Sequence, residues 1–163
     1  MDKNIQYSGQ RNEMLFELGL QFFDIGYKSI EINKTSDFKP FAGLVNLSFS
    51  CELFLKYLIE EKGEQERGHN LGKLFKNIDY TTRVILYRLI SLRHRHSNGN
   101  KDMSNEEIEE KIRIHSHVFE DFRYLHENPK KVFKENKFDF NFIINLSVVL
   151  KTYCEKTKPN NHS

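Results

Sequence analysis

The chain has no tryptophan, only two cysteines and three prolines in 163 residues, and little net charge. Each scarcity excludes a class. Cys51 and Cys154 stand far apart and within apolar helical patterns, so they are expected as buried free thiols rather than a disulfide. There is no Cys-x-x-Cys pair, which removes support for a structural zinc site. A formal net charge of +2 means the whole chain is not a polycation, so any nucleic-acid affinity must come from a local patch. No apolar run approaches the ~18 residues of a membrane span. The stretch Met1-Asp2-Lys3-Asn4 carries no apolar signal core. A cytoplasmic protein with no membrane partner is the resulting expectation. A Gly-rich phosphate loop and a plausible Ser-His-Asp arrangement are also missing, and no internal repeat or convincing strand-length alternation is present.

What is plentiful is aromatic and aliphatic bulk at helical spacing. Fourteen Phe and seven Tyr supply large side chains for a core, and the length suits one domain. The spacing of Leu15, Leu18, Phe22 and Ile25 predicts a first helix over 12–32, after a frayed polar start. Residues 41–62 read as a central helix, apolar on most sides and therefore buried. In it Ala42, Gly43, Ser48 and Cys51 are small enough for close helix contact. Gly63 is a plausible stop. A short helix follows from about Asn70 to Asn77. Another spans 80–95, with Val84, Tyr87 and Leu92 as inward candidates, and Ser97-Asn98-Gly99-Asn100 breaks it.

Ser104-Asn105-Glu106-Glu107 is a capping box opening a long helix to about Glu127, with Ile108, Ile112, Phe119 and Phe122 on one face. Asp139 can cap a last helix to about Glu155. The expected fold is all-α: an up-and-down bundle of about four to five main helices plus a short one. It forms a single domain over 1–158, with a tail at 159–163.

The polar residues inside this pattern carry the chemistry. Glu52 lies near Ser48, Phe49, Leu55 and Ile59, where a carboxylate needs a partner or a raised pKa. Lys56 follows at i+4, and Arg123 is the stronger candidate because guanidinium pairs bidentately with carboxylate. Either a structural ion pair ties two helices here, or Glu52, His69 and Arg123 line a ligand pocket. In Gly68-His69-Asn70-Leu71 the glycine permits a sharp turn and Asn70 can cap the following helix. Arg123 and Glu127 can pair on one face, and Tyr124 can pack and donate a hydrogen bond.

The last feature is a basic tract. From Arg83 to Lys101 there are five Lys or Arg and no Asp or Glu. Arg88 and Arg95 share a helix face, while Arg93, His94 and His96 add further donors. Such a helix end suits phosphate contact, and the helix dipole equally favours a solvated basic end. No aromatic interleaving marks it as a base-stacking surface. His115 and His117, two apart on a helix, point different ways, and no metal or other cofactor is expected.

Three phrases recur in a telling order: Glu52-Leu53-Phe54-Leu55-Lys56, Gly68-His69-Asn70-Leu71, and Phe122-Arg123-Tyr124-Leu125-His126-Glu127. Across roughly 41–127 the chain resembles the HEPN domains, small helical modules of prokaryotic phage-defence, toxin–antitoxin and nucleotide-linked systems. The resemblance implies a helical bundle that forms a homodimer, contact with RNA or a nucleotide, and a partner protein from the same operon. The contacting residues it implies are Glu52, Lys56, His69, Arg93, Arg95, His96, Arg123 and Tyr124.

Many active HEPN proteins are metal-independent endoribonucleases marked by Arg, four to six residues, then His. The His acts as general acid or base at the ribose 2′-hydroxyl, and the Arg stabilises phosphate charge. Arg88 and His94 fit with five residues between, although Leu89 replaces the usual polar neighbour. Six steps on an unbroken helix set their side chains about 120° apart, so local distortion or a second copy must bring them together. The alternative is a non-catalytic dimerisation or protein-interaction module; an unrelated helical adaptor is the third reading.

Overall fold

A computed structural model describes residues 3–32, 41–98, 101–116 and 139–158, and all regular structure among them is helical. Six helices are seen: α1 (Lys3–Ile32), α2 (Phe41–Glu60), α3 (Leu71–Asn77), α4 (Tyr80–Asn98), α5 (Asn105–Ile114) and α6 (Phe140–Thr157). The all-α bundle is thus as expected, with α3 as its short member.

Side-chain contacts give the helix directions. Arg11 and Asn12 of α1 meet Glu60 and Glu61 at the end of α2, while Gly26 meets Gly43 at its start, so α1 and α2 are antiparallel. Phe41 lies by Phe140, and Phe54 by Cys154, so α2 and α6 run parallel. Thr82 approaches Tyr153 and Arg93 approaches Asn145, so α4 opposes α6.

The core lies around α2. Leu44, Leu47, Cys51, Phe54 and Leu55 are fully buried there, closed in by Phe16 and Phe23 of α1 and by Ile143, Leu146 and Leu150 of α6. By length and composition α2 could cross a membrane, but most of it is buried against its neighbours. A central helix covered on several sides must be apolar on several sides. Both cysteines are free and buried, as expected.

Several details depart from the sequence expectation. Helix α1 starts at Lys3 rather than near residue 12; residues 3–11 contain no proline, and their one glycine, Gly9, is tolerated inside a helix at a cost of about 1 kcal/mol. Its inward face is Leu15, Phe16, Gly19, Phe23 and Gly26, while Ile25 is 56% exposed. Two glycines set this rotation. A Cβ on Gly19 would stand 2.8 Å from Phe54 Cε1, and one on Gly26 would stand 2.8 Å from the Gly43 carbonyl oxygen.

In α4 the buried residues are Thr82, Leu86, Tyr87 and Ile90; Val84 and Leu92 face solvent at 36% and 43%. Helix α5 ends at Ile114, not near Glu127. There the His115 amide closes the last turn on Lys111 and Arg113, and the Ser116 hydroxyl accepts from the Gly72 amide at 2.9 Å. Phe119 and Phe122 lie outside the described residues. The capping box at Ser104 and Glu107 and the Asp139 cap of α6 form as expected.

Candidate functional site

Glu52 sits in the most buried stretch of α2, its side chain 5% exposed. Its Oε1 accepts from Lys56 Nζ at 2.8 Å and from His69 Nδ1 at 2.9 Å. Lys56 is one turn on, the favourable order for a Glu–Lys pair. An ionised carboxylate only accepts, so Nδ1 carries the proton of this bond, on a side chain that is 70% exposed.

The segment before α3 holds His69 in place. The Asn70 side chain accepts from the Lys73 amide and caps α3. Glu66 accepts from the Gly68 amide at 3.0 Å and from Asn77 at 2.8 Å. Its carboxyl is held below the usual range, first by the Gly68 amide and then, against its slight desolvation, by Asn77. Glu52, Lys56 and His69 are therefore brought together, tying α2 to the segment leading into α3. Arg123 and Tyr124 lie outside the described residues. A groove of about 480 Å³ between α4 and α6 and another of about 430 Å³ between α3 and α5 are lined by neither Glu52 nor His69.

The basic tract runs along α4 from Arg83 and past its end to Lys101. Two of its charges are met by carboxylates from the following segment: Arg95 lies 3.5 Å from Asp102, and Lys101 lies 3.9 Å from Glu107. Arg83 donates to the Lys76 carbonyl at 2.6 Å. Arg88 and Arg93 are exposed and pair with no carboxylate among the described residues. Arg93 donates instead through Nε to Asn145 Oδ1 at 3.2 Å. His96 is exposed and lines the α4–α6 groove, and His94 is half-buried. Helix α4 is continuous from Tyr80 to Asn98, so Arg88 and His94 stay about 120° apart and one chain does not bring them together.

Sequence reading missed two polar clusters. Asn145 and Ser97 support Arg93, hidden because a lone Asn in an apolar run reads as a lapse in the pattern. His115 is the other centre. Its Nε2 accepts from the Asp139 amide at 3.0 Å, and its Nδ1 donates to the Lys111 carbonyl at 2.6 Å, which fixes the neutral ring. Burial pushes its pKa below 6.5, outweighing the Lys111 and Asp139 backbone contacts and the Asp139 charge. Burial works to raise the Asp139 carboxyl, but the Lys111 ammonium at 2.5 Å and the Phe142 amide together hold it below 3.8. Among the described residues no group of three or more His, Cys, Asp or Glu is placed to hold a metal. No protein family, curated protein or solved structure matches the chain.

Proposed function

We propose that the chain is a HEPN-like helical module of a prokaryotic defence or toxin–antitoxin type system, acting in the cytoplasm, that contacts RNA or a nucleotide through the basic tract of α4. The observation that carries this reading is the pair of exposed guanidinium groups on α4, Arg88 and Arg93, with no carboxylate partner among the described residues. Exposed Arg without a countercharge suits phosphate, which it contacts bidentately. In this reading Glu52, Lys56 and His69 tie α2 to the segment before α3.

The catalytic form of the proposal is a metal-independent endoribonuclease using Arg88 and His94. Their divergence on α4 requires a second copy to complete the cleft. Val84, Ile85, Leu89 and Leu92, all at least 36% exposed, stand around Arg88 and supply apolar area for such pairing. The same face supports the second reading, a non-catalytic dimerisation or interaction module.

Labelled tRNA and mRNA incubated with the purified chain in EDTA separate the two. Cleavage that is lost in folded Arg88→Ala and His94→Ala variants supports the nuclease. Intact RNA that is nonetheless retained in a gel-shift assay, with binding weakened by Arg88→Ala and Arg93→Ala, supports the binding module. No cleavage and no retention overturns the RNA contact.

A further inference from the structure

Asn145 is 5% exposed in a largely apolar stretch of α6. A buried amide without partners is costly, so what it bonds to matters. Its Oδ1 is the shared acceptor of Arg93 Nε at 3.2 Å and Ser97 Oγ at 3.3 Å. Both donors stand on α4, and both line the groove of about 480 Å³ between α4 and α6.

The groove divides by chemistry. Leu89, Leu92, Val148 and Val149 make it apolar, while Arg93 supplies the positive charge and His96 a further polar ring. With Nε engaged, the two terminal nitrogens of Arg93 remain to donate. A guanidinium anchored from behind by a buried amide is oriented before any ligand arrives, which lowers the ordering cost of binding. The volume falls in the range of small-molecule sites. Among the described residues no Phe, Tyr or Trp lines the groove, and its ring is the small imidazole of His96; its branched side chains suit an aliphatic body.

We infer that the α4–α6 groove is a binding site for a small amphipathic anion, an aliphatic chain with a carboxylate or phosphate monoester head. The head meets Arg93 and His96; the chain lies on Leu89, Leu92, Val148 and Val149. The inference does not rest on the RNA contact, although both use Arg93.

The test is a titration of the isotope-labelled chain, followed by amide NMR shifts, with octanoate, octyl phosphate, 1-octanol and inorganic phosphate. The expected result is shifts confined to α4 and α6, with one or both amphipathic anions binding about tenfold or more tighter than octanol or inorganic phosphate. The tighter of the two identifies the head group.

Arg93→Gln weakens the anion by about tenfold or more, as loss of a charged hydrogen bond does. Thr152→Trp, an exposed groove position, blocks binding while the helical circular dichroism stays unchanged. If Arg93→Gln disturbs the fold, the octanol comparison and Thr152→Trp still decide. Octanol binding as tightly as the anions, unchanged affinity in Thr152→Trp, shifts away from the groove, or no binding overturns the site.

Discussion

At the scale of single residues, the Glu52 carboxylate balances an ammonium group on a side chain only 11% exposed. Glu52→Gln leaves Lys56 without its countercharge and is expected to destabilise the fold by about 3–5 kcal/mol, measured by urea unfolding. His69→Gln is expected to cost under about 1 kcal/mol, because its ring is mostly in water. A His69 variant as damaging as the Glu52 variant would contradict this ranking. His115 gives a pH signature. Its folded pKa lies below the unfolded value near 6.5, so the unfolded chain binds more protons between the two. Stability is therefore full above about pH 6.5 and falls as the pH drops below it. The Asp139 contribution is lost only at lower pH, below about 3.8. Urea midpoints from pH 7.5 to 5 should decline, with a shallower slope in His115→Asn. Burial also pushes both the Cys51 and Cys154 thiols up. Neither is expected to react with a disulfide reagent at pH 8 until the chain unfolds, and rapid titration of either in the native protein would contradict that burial.

At the scale of elements, the α1–α2 crossing depends on an absence of side chain. Gly26→Ala places a methyl 2.8 Å from the Gly43 carbonyl oxygen and 2.9 Å from Leu47 Cγ, and backbone cannot swing aside. Alanine is the better helix former by about 1 kcal/mol, yet overpacking typically costs about 1–3 kcal/mol. A net loss is expected in thermal unfolding. Gly9→Ala in the same helix meets nothing within 4 Å, so propensity acts alone and the melting temperature should rise. These two variants separate a packing glycine from an incidental one, which hydropathy spacing does not. That is why the expected stripe of α1 included Ile25 and omitted Gly19 and Gly26. The caps behaved differently. Asn70, Ser104 and Asp139 each accept from a backbone amide three residues on, a bond formed within one turn. Local chemistry of this kind is legible in sequence. The end of α5 was not, because Ser116 is drawn into a bond with Gly72, 44 residues away.

At the scale of the whole molecule, the exposed apolar residues of α4 bear on assembly. If that face pairs copies of the chain, Ile85→Asp should shift the protein toward monomer in sedimentation equilibrium while changing stability by about 0.5 kcal/mol or less, since Ile85 is 39% exposed. An unchanged association state would remove α4 as the contact. The amino-acid order by itself determined the all-α class, the helix starts at Asn70, Ser104 and Asp139, the burial of α2 and both thiols, and the basic tract of α4. All of these follow from spacing or from contacts within a turn or two. Only the tertiary structure decided which way α1 and α4 face, that Glu52 meets His69, and that carboxylates from the next segment cover part of the basic tract. It also decided that Asn145 braces Arg93 from another helix. The His69 and Asn145 contacts join residues 17 and 52 positions apart. Such meetings are set by how the helices rotate and cross, and hydropathy along a single chain does not encode that rotation.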